Sequence, residues 1–455
     1  MVSSPTTKCT PNFSGSSSFT TLPADIIRAG NETNISMNTQ SKTIGIVGGG
    51  VIGLCSAYYL QQAGYEVTVF DAGDLSDNCS HGNAGYVSPS HFVPLSSPGI
   101  VSKGLRWMLS KTSPFYIEPR LDSKLMYWGW QFYKHSTAKD VAYAMVPLKD
   151  INLLSRKLYL DLNHELNFDF ELNSKGCLAL CKTARGFEHE CELAEQAHAI
   201  GVEATVVRPN DLHQYISGTA TAAAGGVFFP QDMHMEPSTF VKGLKKTLDE
   251  KGVKFLLNAP VKFTKNASGN VAAIVSNQQT FLFDEYLLAA GSRSGELAAG
   301  LQLRIPLQGG KGYSFTKPNQ QKIFEVPVIL VEGRVAISPL QQHTRYGGTM
   351  QIDGNERSIS YHRVQGIANT VNQYFPELQL EPPPIEKVWY GFRPCSPDGL
   401  PYIGRIPKIG NLTVATGHAM MGLSLAPATG KLVTEIISGN NTSMDIKAFD
   451  PVRYA

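Results

Sequence analysis

Features that would mark several classes of protein are missing from this sequence. Its 455 residues carry a net charge of only +2, and no run of Lys and Arg is interleaved with aromatic residues, so binding to nucleic acid is not expected. No uninterrupted apolar stretch reaches the ~20 residues that span a bilayer, so any membrane contact would be peripheral. Residues 1–30 hold no apolar core, which argues against a signal peptide.

Cysteine is also sparse. The seven cysteines are odd in number and irregularly spaced, which predicts free thiols in a reducing compartment rather than a disulfide framework. We therefore expect a cytoplasmic protein, or one held peripherally at the inner membrane. Cys177, Cys181, His189 and Cys191 are candidate metal ligands, but the first two lie in a strand-like segment and the intervals match no known zinc module. We predict no metal site.

The composition that is present is that of an ordinary globular enzyme. Hydrophobic residues make up 42% and charged residues 17%, with 42 glycines spread along the chain. A chain of this length predicts two lobes, each with its own buried core. Residues 1–42 are rich in Ser, Thr and Asn and poor in large apolar residues, so we expect a disordered leader there.

The first patterned segment predicts a strand, a helix and a second strand. Residues 43–47 are a short apolar run, and residues 51–63 repeat apolar positions at helical spacing. Gly64 supplies the helix stop, and residues 66–70 form a second apolar run that ends at Asp71. Together they make a βαβ unit of about 30 residues.

The turn inside this unit carries a GxGxxG motif. Gly48 permits the tight turn, Gly50 lets a pyrophosphate approach the backbone, and Gly53 allows close packing of the helix. The helix N-terminus then faces the phosphates, and Asp71 is placed to accept the ribose hydroxyls. The motif predicts a dinucleotide site but does not distinguish FAD from NAD.

Further along, apolar runs predict strands at 253–257, 271–276 and 286–290, with a turn at 266–269 between the first two. Strands also dominate residues 311–352, where Gly347 and Gly348 mark a close backbone approach. Residues 417–438 begin with glycine and become a helix that should dock on the first βαβ unit. Residues 92–135 are mostly helical and rich in aromatics, including Trp107, Trp128 and Trp130; they fit a substrate lobe, with a membrane-facing patch as the alternative.

A set of short motifs in a fixed order supports a resemblance to a known family. They lie at residues 48–53, 80–86, 288–292, 310–314, 391–394, 397–399 and 417–422. From about residue 43 to the C-terminus the sequence resembles the FAD-dependent D-amino acid dehydrogenase family, within the wider group that contains glycine oxidase and sarcosine oxidase.

The resemblance implies an α/β fold with an α+β second lobe. A Rossmann-type FAD-binding domain would comprise residues 43–92, 230–300 and 390–440, and a β-rich substrate domain would comprise 93–229 and 301–389. The chain would cross between these domains more than once.

It also implies non-covalent FAD. Cys395 lies near the position at which some sarcosine oxidases attach flavin, but Gly391 stands at the matching position. The segment 83–85 would run past the pyrophosphate toward the flavin, and the loop 417–423 would supply backbone donors near the flavin N1/O2 edge. The predicted cofactor-binding residues are Gly48, Gly50, Val51, Ile52, Gly53, Asp71, Ser80, Asn83, Ala84, Gly85, Val261, Ala290, Gly291, Gly417, His418, Met421, Gly422 and Leu423.

The activity implied is oxidative deamination of a D-amino acid to the 2-oxo acid, by hydride transfer from Cα to flavin N5, with electrons passed to a quinone or another carrier. An oxidase or dehydrogenase for glycine, sarcosine or a cyclic imino acid such as hydroxyproline is the alternative. Met420 stands where some glycine oxidases carry a second arginine, which weakens that alternative. A non-catalytic FAD-binding subunit of a larger complex is an alternative of another class.

Arg393 is the main catalytic candidate. It matches the arginine that binds the substrate carboxylate in this group, and a guanidinium suits a forked contact with a carboxylate. The alternative is structural pairing with Asp398. Tyr313 and Tyr346 could line the substrate pocket or be core tyrosines.

Two further residues near these motifs keep open roles. Lys311 could lie near the flavin or only brace a turn. His418 is not assigned as a base, because an amine that arrives deprotonated needs none.

Overall fold

The computed structural model describes residues 26–28, 41–76, 78–108, 110, 112–319, 322–354 and 357–455. Residues 1–25 and 29–40, which make up most of the predicted leader, lie outside the described residues. Within that predicted leader, residues Ile26–Arg28 form a short strand that pairs in parallel with Gln279–Leu282.

The described residues alternate repeatedly between strands and helices. The strands are β1 (Ile26–Arg28), β2 (Thr43–Val47), β3 (Glu66–Phe70), β4 (Tyr86–Val87), β5 (Phe115–Ile117), β6 (Cys177–Cys181), β7 (Thr205–Val207), β8 (Gly225–Phe229), β9 (Met233–His234), β10 (Lys254–Leu256), β11 (Val261–Lys265), β12 (Val271–Ser276), β13 (Gln279–Leu282), β14 (Glu285–Leu288), β15 (Gln308–Pro318), β16 (Val328–Leu330), β17 (Val335–Pro339), β18 (His343–Ile352), β19 (Trp389–Cys395), β20 (Tyr402–Ile406) and β21 (Ile409–Thr416). The α-helices are α1 (Val51–Gln62), α2 (Ile100–Trp107), α3 (Ser123–Lys134), α4 (Ala138–Glu165), α5 (Ala184–Ala199), α6 (Pro237–Glu250), α7 (Ser294–Gly300), α8 (Tyr361–Tyr374) and α9 (Ala426–Ser438).

The first lobe is built on a sheet of order β10-β3-β2-β14-β21-β20. Its strands are parallel except β20, which runs antiparallel to β21. The strands β2 and β3 are apolar and almost wholly buried, as expected of parallel strands covered on both faces. This sheet confirms the predicted Rossmann-type βαβ unit.

The contact between α1 and α9 depends on a glycine. A Cβ placed on Gly430 of α9 would lie 2.6 Å from the carbonyl carbon of Cys55 in α1, so a larger residue would force the helices apart. Both helices contribute to one apolar core that also contains side chains of α6. The predicted docking of the C-terminal helix on the first βαβ unit is therefore confirmed.

The second lobe is built on a larger mixed sheet. Its order is β19-β15-β18-β17-β16-β6-β8-β7, and β5 pairs with β18. One face of its central strands packs against α8, through a core that includes Phe315, Ile337, Val364 and Ile367. The β-rich second lobe predicted from the sequence is thus observed.

A smaller sheet of order β1-β13-β12-β11 packs beside the first lobe through Ile274, Phe281 and Phe283. The predicted turn at 266–269 joins β11 to β12, and not the strand at 254–256 to the strand at 271–276. The strand β11 was not predicted, because its polar residues are half or fully exposed and give no apolar run.

The chain crosses between the lobes more than once, as predicted, but two segments differ from the predicted boundaries. Helix α4, assigned to the substrate domain, buries Ile151 and Tyr159 in the core of the first lobe. Strand β19, assigned to the FAD-binding domain from residue 390, pairs with β15 in the substrate sheet. The mixed pattern of α4 does not reveal which lobe its apolar face covers.

Neither a bilayer-spanning helix nor a metal-binding cluster occurs among the described residues. No helix among them is long and apolar enough to cross a bilayer. In the same part of the chain, no group of three or more His, Cys, Asp or Glu side chains is arranged to hold a metal ion. Cys177 and Cys181 lie in β6, which confirms the strand predicted there.

Candidate active site

The glycine turn lies where strands β2, β3 and β14 end. Gly48 has a φ of +111°, and its N–H donates to the carbonyl of Phe70 at 2.8 Å. A Cβ on Gly48 would lie 2.4 Å from the carbonyl oxygen of Ala289, and a Cβ on Gly53 would lie 1.9 Å from that of Gly48. These two positions therefore require glycine, as the motif predicted.

The N-terminus of α1 offers donors and room for an anion. Its capping residue, Gly50, has an extended backbone and no side-chain cap, and the first turn holds no acidic residue. The N–H of Val51 donates to the hydroxyl of Ser80 at 3.2 Å. The nearest atom to a Cβ on Gly50 would be that hydroxyl, at 3.8 Å, so a phosphate could approach this backbone closely.

The carboxylate of Asp71 is fixed at the end of β3. Its two oxygens accept the N–H groups of Gly49 at 2.7 Å and Gly73 at 2.8 Å. Each carboxylate oxygen retains a further lone pair, which suits it to accept a ribose hydroxyl. The backbone carbonyl of Asp71 accepts the N–H of Ala259 at 2.8 Å, which brings the segment leading to Val261 beside this site.

The loop after β21 approaches the same sheet edge. Gly417 has a φ of +80°, and among the described residues the nearest atom to a Cβ on Gly422, apart from its chain neighbours, would be the Cβ of His418 at 3.9 Å. The imidazole of His418 is bonded to the hydroxyl of Thr429 at 3.0 Å. Burial lowers the pKa of His418 to about 3, so this side chain is neutral at physiological pH.

The remaining predicted cofactor-binding residues lie close to these groups. Gly291, next to Ala290 at the end of β14, accepts the hydroxyl of Thr416 at its carbonyl. The carbonyl of Leu423 accepts the hydroxyl of Tyr159 at 2.6 Å. Ile52 is in the first turn of α1, and Met421 precedes Gly422 in the loop.

Three successive carbonyls of the segment 82–84 are bound by side chains of the substrate sheet. The carbonyl of Gly82 accepts the hydroxyl of Ser314 (β15) at 2.7 Å, that of Asn83 accepts Nη1 of Arg345 (β18) at 2.7 Å, and that of Ala84 accepts the hydroxyl of Ser338 (β17) at 2.5 Å. Because these strands are neighbours in the order β15-β18-β17, the segment crosses the sheet strand by strand. These three bonds attach the segment 82–84 to the substrate sheet.

A buried ion pair reinforces this junction. Nη2 of Arg345 lies 2.9 Å from a carboxylate oxygen of Glu236, the residue that caps α6 of the first lobe. Burial raises the pKa of Glu236, but the contacts with His343 and Arg345 outweigh it and lower that pKa to about 2. Glu236 is therefore ionised at neutral pH, and the pair fixes the Asn83 carbonyl relative to both lobes.

Arg393 lies on the face of β19 that looks toward this segment. Its guanidinium rests over Gly312 of β15, where a Cβ would be 2.1 Å from Nη1. Nη1 donates to the carbonyl of Thr349 at 2.6 Å. Across the part of the chain that the structure describes, Arg393 has no carboxylate partner and its other donors make no bond to protein.

The indole of Trp389 lies on the same face of β19. A Cβ on Gly391 would be 2.4 Å from the ring, and a Cβ on Gly82 would be 2.0 Å from it. Both positions must therefore be glycine for the ring to lie where it does. Trp389 thus contacts the strand that carries Arg393 and the segment 82–84.

The predicted alternative partner of Arg393 is engaged elsewhere. Asp398 forms a two-pronged contact with Arg453, at 2.6 Å and 3.0 Å. Since Asp398 does not pair with Arg393, the structural alternative for Arg393 is wrong, and the Arg393 guanidinium stays available to a ligand.

The structure does not bring Tyr313 and Tyr346 to Arg393. Successive side chains of a strand point to opposite faces, and Gly312 faces Arg393, so Tyr313 faces α8. Its hydroxyl donates to the side chain of Gln351 at 2.9 Å. Tyr346 stacks on Phe315 in the same core. The geometry therefore supports the interpretation of both as core tyrosines.

Lys311 lies on the same face of the substrate sheet as Tyr313 and Tyr346. Its ammonium pairs with the buried carboxylate of Asp353 and donates to the carbonyl of Ser358 at 2.6 Å. It therefore braces the segment after β18, which was one of the two roles left open for it.

Several residues of this arrangement were missed by the sequence analysis: Trp389, Ser314, Arg345 and Ser338. Only Ser314 stood inside a recognised motif, and no local pattern marks a hydroxyl or guanidinium that binds a carbonyl far away in the chain. For Trp389 one signal was present, since Gly391 two residues later gives a large ring a flat surface on the same face of the strand.

These features already define the class of site to which this arrangement belongs. A parallel sheet with a glycine turn, an uncapped helix N-terminus and a carboxylate at the end of the next strand has the features of a dinucleotide site, and a cation on a second sheet faces it. Residues 43–436 match the family described as FAD dependent oxidoreductase (DAO), and the chain belongs to this family. It is thus an FAD-dependent oxidoreductase, and the donors and open glycine surfaces around α1 fit that cofactor.

Similar proteins extend over nearly the whole chain. The D-amino acid dehydrogenase of Vibrio vulnificus (strain YJ016) is 31% identical over 421 residues, which cover 90% of this chain and 99% of that protein. The D-amino acid dehydrogenase of Bradyrhizobium diazoefficiens is 30% identical over 424 residues, with 90% and 98% covered.

Solved structures share the fold. Glycine oxidase from Geobacillus kaustophilus superimposes with a TM-score of 0.74 at 21% identity, covering 91% of this chain and all of that chain. L-Proline dehydrogenase from P. horikoshii gives a TM-score of 0.70 at 17% identity, covering 91% and 98%. At these identities the likeness supports the two-lobed architecture and not a substrate.

Proposed function

We propose that this enzyme oxidises a D-amino acid to the 2-oxo acid and that Arg393 binds the substrate carboxylate. The observation that carries the proposal is the environment of the Arg393 guanidinium. This group is half-buried, oriented by the carbonyl of Thr349, and without a carboxylate partner among the described residues. Two relatives at about 30% identity that bear the name D-amino acid dehydrogenase support the substrate class.

The guanidinium suits a carboxylate for a physical reason. Its planar donors match the two oxygens of a carboxylate, and a charge-assisted pair of this kind is stronger when it is shielded from water. Burial lowers the pKa of Arg393, yet an arginine side chain stays protonated in proteins, so the cation persists. One bond to Thr349 leaves the outer donors for the ligand.

The substrate loses a hydride from Cα while the lone pair of its amine forms the C=N bond, and water then hydrolyses the imine to the 2-oxo acid and ammonia. FAD, when bound, supplies the hydride acceptor. The amine must be neutral when the hydride leaves. His418 is buried, neutral and bonded to Thr429, so we propose that the amine binds deprotonated and that no side chain of the loop 417–423 takes its proton.

The predicted cofactor contacts belong to the same proposal. We infer that the N–H groups at the start of α1 bind the pyrophosphate and that Asp71 binds the ribose. The segment 83–85 and the loop 417–423 would flank the flavin. The bridge between His418 of the loop and Cys395 of the strand that carries Arg393, and the bonds between residues 82–84 and the sheet that contains this strand, support this arrangement.

For the electron acceptor we propose a quinone or another carrier, reached by an enzyme that is cytoplasmic and peripheral at a membrane. The absence of a membrane-crossing helix among the described residues agrees with peripheral contact, and an acceptor dissolved in lipid would require it.

An anaerobic flavin-reduction assay tests the substrate. Purified FAD-loaded enzyme would be mixed with D-alanine, L-alanine, D-proline, glycine, sarcosine and hydroxyproline, and flavin absorbance followed. We expect rapid bleaching by the D-amino acids. Preferential bleaching by glycine, sarcosine or hydroxyproline would favour the alternative enzyme, and no bleaching by any of them would favour a non-catalytic FAD subunit.

Substitution of Arg393 tests the binding role. Arg393→Lys should raise KM for D-alanine by about 100-fold, because an ammonium cannot make the forked contact. Arg185→Lys, an exposed position on α5, is the matched control and should leave KM unchanged. An unchanged KM in Arg393→Lys would remove Arg393 from the substrate site.

A further inference from the structure

Helix α3 carries a row of large apolar side chains on its solvent-facing side. Met126, Trp130 and Tyr133 are 65%, 57% and 68% exposed, and their spacing of four and three residues places them on one face. The other side of the helix buries Trp128. A surface helix normally turns one apolar face inward and a polar face outward, whereas α3 also has apolar side chains on its exposed face.

The exposed apolar residues of the protein are concentrated around this helix. Among the described residues, seven of the twelve well-exposed large apolar side chains lie between residues 105 and 146, the other five being scattered from 206 to 420. Leu121, fully exposed, directly precedes the capping residue of α3. We call Leu121, Met126, Trp130 and Tyr133, with Lys124 and Lys134, the α3 patch.

The charges on the α3 patch have one sign. Lys124 and Lys134 are exposed, and so is Lys139 at the start of α4. Between residues 121 and 146 no exposed residue is acidic. The side chains of Asp122 and Asp140 are 33% and 36% exposed, but Asp122 caps α3 and pairs with Arg120, and Asp140, in the first turn of α4, pairs with His135. This surface therefore presents a positive potential to whatever approaches it.

The patch combines aromatic and basic groups closely. The ammonium of Lys134 lies 5.4 Å from the centre of the Trp130 ring. Indole and phenol rings with a polar edge favour the headgroup level of a bilayer, and lysine favours anionic headgroups. Lysine is depleted in protein–protein interfaces, which argues against a protein as the occupant.

We infer that the α3 patch docks the enzyme on an anionic lipid surface, with Trp130 and Tyr133 at the headgroup level and Lys124 and Lys134 facing the phosphates. The inference deepens the peripheral location proposed above and rests on it. It identifies the docking surface and the class of lipid, which that proposal left open.

The position of α3 gives the docking a functional consequence. On its buried side, Trp128 donates its indole N–H to the carbonyl of Cys395 at 2.8 Å, and Cys395 lies two residues beyond Arg393. A helix with its side chains is about 10 Å across. A lipid surface on the α3 patch would thus lie about one helix diameter from the strand that carries Arg393. A lipid-soluble acceptor would therefore have only a short distance to cover between the lipid and the site.

The test is co-sedimentation of the full-length, FAD-loaded enzyme with vesicles. Vesicles of phosphatidylglycerol and phosphatidylcholine would be compared with vesicles of phosphatidylcholine alone. We expect binding to the anionic vesicles only, weakened by high salt. Trp130→Ser combined with Tyr133→Ser, and Lys124→Glu combined with Lys134→Glu, should each reduce binding by at least about tenfold, since the first removes the aromatic rings at the headgroup level and the second reverses the charges that face the lipid phosphates.

The matched control is Val206→Ser combined with Tyr361→Ser, which removes exposed apolar side chains outside the patch. It should bind anionic vesicles like the unaltered enzyme. Equal loss in the control, no binding by the unaltered enzyme, or equal binding to neutral vesicles would each overturn the inference. So would a dimer of the unaltered enzyme that becomes a monomer in the Trp130/Tyr133 variant without any vesicle binding, because the occupant would then be a second copy.

Flavin reduction by D-alanine in vesicle-free solution separates this inference from the proposed function. All patch variants should be reduced at the rate of the unaltered enzyme. If vesicle binding follows the prediction while no variant is reduced by any amino acid, the substrate proposal fails and the docking surface stands.

Discussion

The indole ring of Trp389 lies directly against the α-carbon of Gly82. A Cβ on Gly82 would be 2.0 Å from Cδ2 of the ring, closer than two carbon atoms can approach, and the carbonyl of the same glycine accepts the hydroxyl of Ser314. Residue 82 is therefore held from both sides by the substrate sheet. The segment that follows it is thereby kept at a fixed position between the two lobes.

Gly82→Ala should displace either the ring or the segment. We expect a loss of about 1–3 kcal/mol in the free energy of unfolding, which is typical of overpacking, together with weaker retention of FAD. Adding Trp389→Ala should recover part of the loss. Denaturant titration of both single variants and the double variant measures the coupling, which should be about 0.5–3 kcal/mol for residues in contact. Strict additivity would show that the contact does not exist in solution.

Gly312→Ala should disturb substrate binding without removing the cation. The new methyl group would lie 2.1 Å from Nη1 of Arg393 and would push the guanidinium off the strand. We expect KM for D-alanine to rise about tenfold or more, with a smaller change in kcat. Gly310→Ala, where the nearest atoms are 3.1 Å away, is the milder control on the same strand. Similar KM values in both variants would contradict this arrangement.

Arg345→Met should destabilise the junction of the lobes more than removal of both partners does. The substitution leaves the buried Glu236 carboxylate with His343 and the N–H of Ser238 as contacts, and the loss of one partner of a buried pair costs about 3–5 kcal/mol. Combining Arg345→Met with Glu236→Gln removes the uncompensated charge and should recover part of the lost stability. Denaturant unfolding of the two variants at pH 7 makes the comparison.

The loss caused by Arg345→Met should also depend on pH. In the unaltered protein the pKa of Glu236 is about 2, below its usual value of 4.5, so the pair stabilises the fold above that usual value and its contribution fades as the pH falls toward 2. Without Arg345, burial favours the neutral acid. The difference between the two proteins should therefore grow from pH 4 to pH 7, and a constant difference would contradict the ion pair.

Asp232 should make the protein less stable as the pH rises. This carboxyl group lies between β8 and β9 and accepts the hydroxyl and N–H of Ser90, at 2.6 Å and 3.0 Å. Burial raises its pKa from 3.8 to about 7, against the opposing effect of the bonds from Ser90. A raised pKa means that its contribution to stability is fully present below about 4 and is lost as the pH rises through about 7.

Asp232→Asn removes that dependence. Between pH 5 and pH 8 the unaltered protein should lose about 2–3 kcal/mol of stability relative to the variant, since part of the loss that follows from a pKa raised from 3.8 to about 7 has already occurred below pH 5. Thermal midpoints of both proteins at several pH values provide the measurement. Parallel curves would mean that Asp232 is ionised at the usual pH, which its burial opposes.

The nucleotide half of the site was predictable because its determinants are local. Gly48, Gly50, Gly53 and Asp71 lie within 24 residues, and each responds to a constraint that neighbouring atoms impose, such as a positive φ at Gly48 or a 1.9 Å approach at Gly53. Arg393 was identified through its motif. The structure adds that its alternative partner, Asp398, belongs to Arg453.

The substrate half depends on faces and registers that a sequence does not specify. Tyr313 and Gly312 are adjacent, yet one faces α8 and the other faces Arg393, because side chains alternate along a strand and only the packed helix decides which face becomes core. For the same reason the sequence did not single out Arg345 over its neighbour Tyr346.

The sequence by itself determined the dinucleotide turn and the strand–helix–strand order of the βαβ unit, since these follow from backbone sterics and short-range periodicity, and it identified Arg393 through a short motif. Only the tertiary structure decided what holds the segment 82–84, where Trp389 lies, and which face of α3 stays exposed. Those features join residues that are hundreds of positions apart, and such contacts exist only once both lobes have packed.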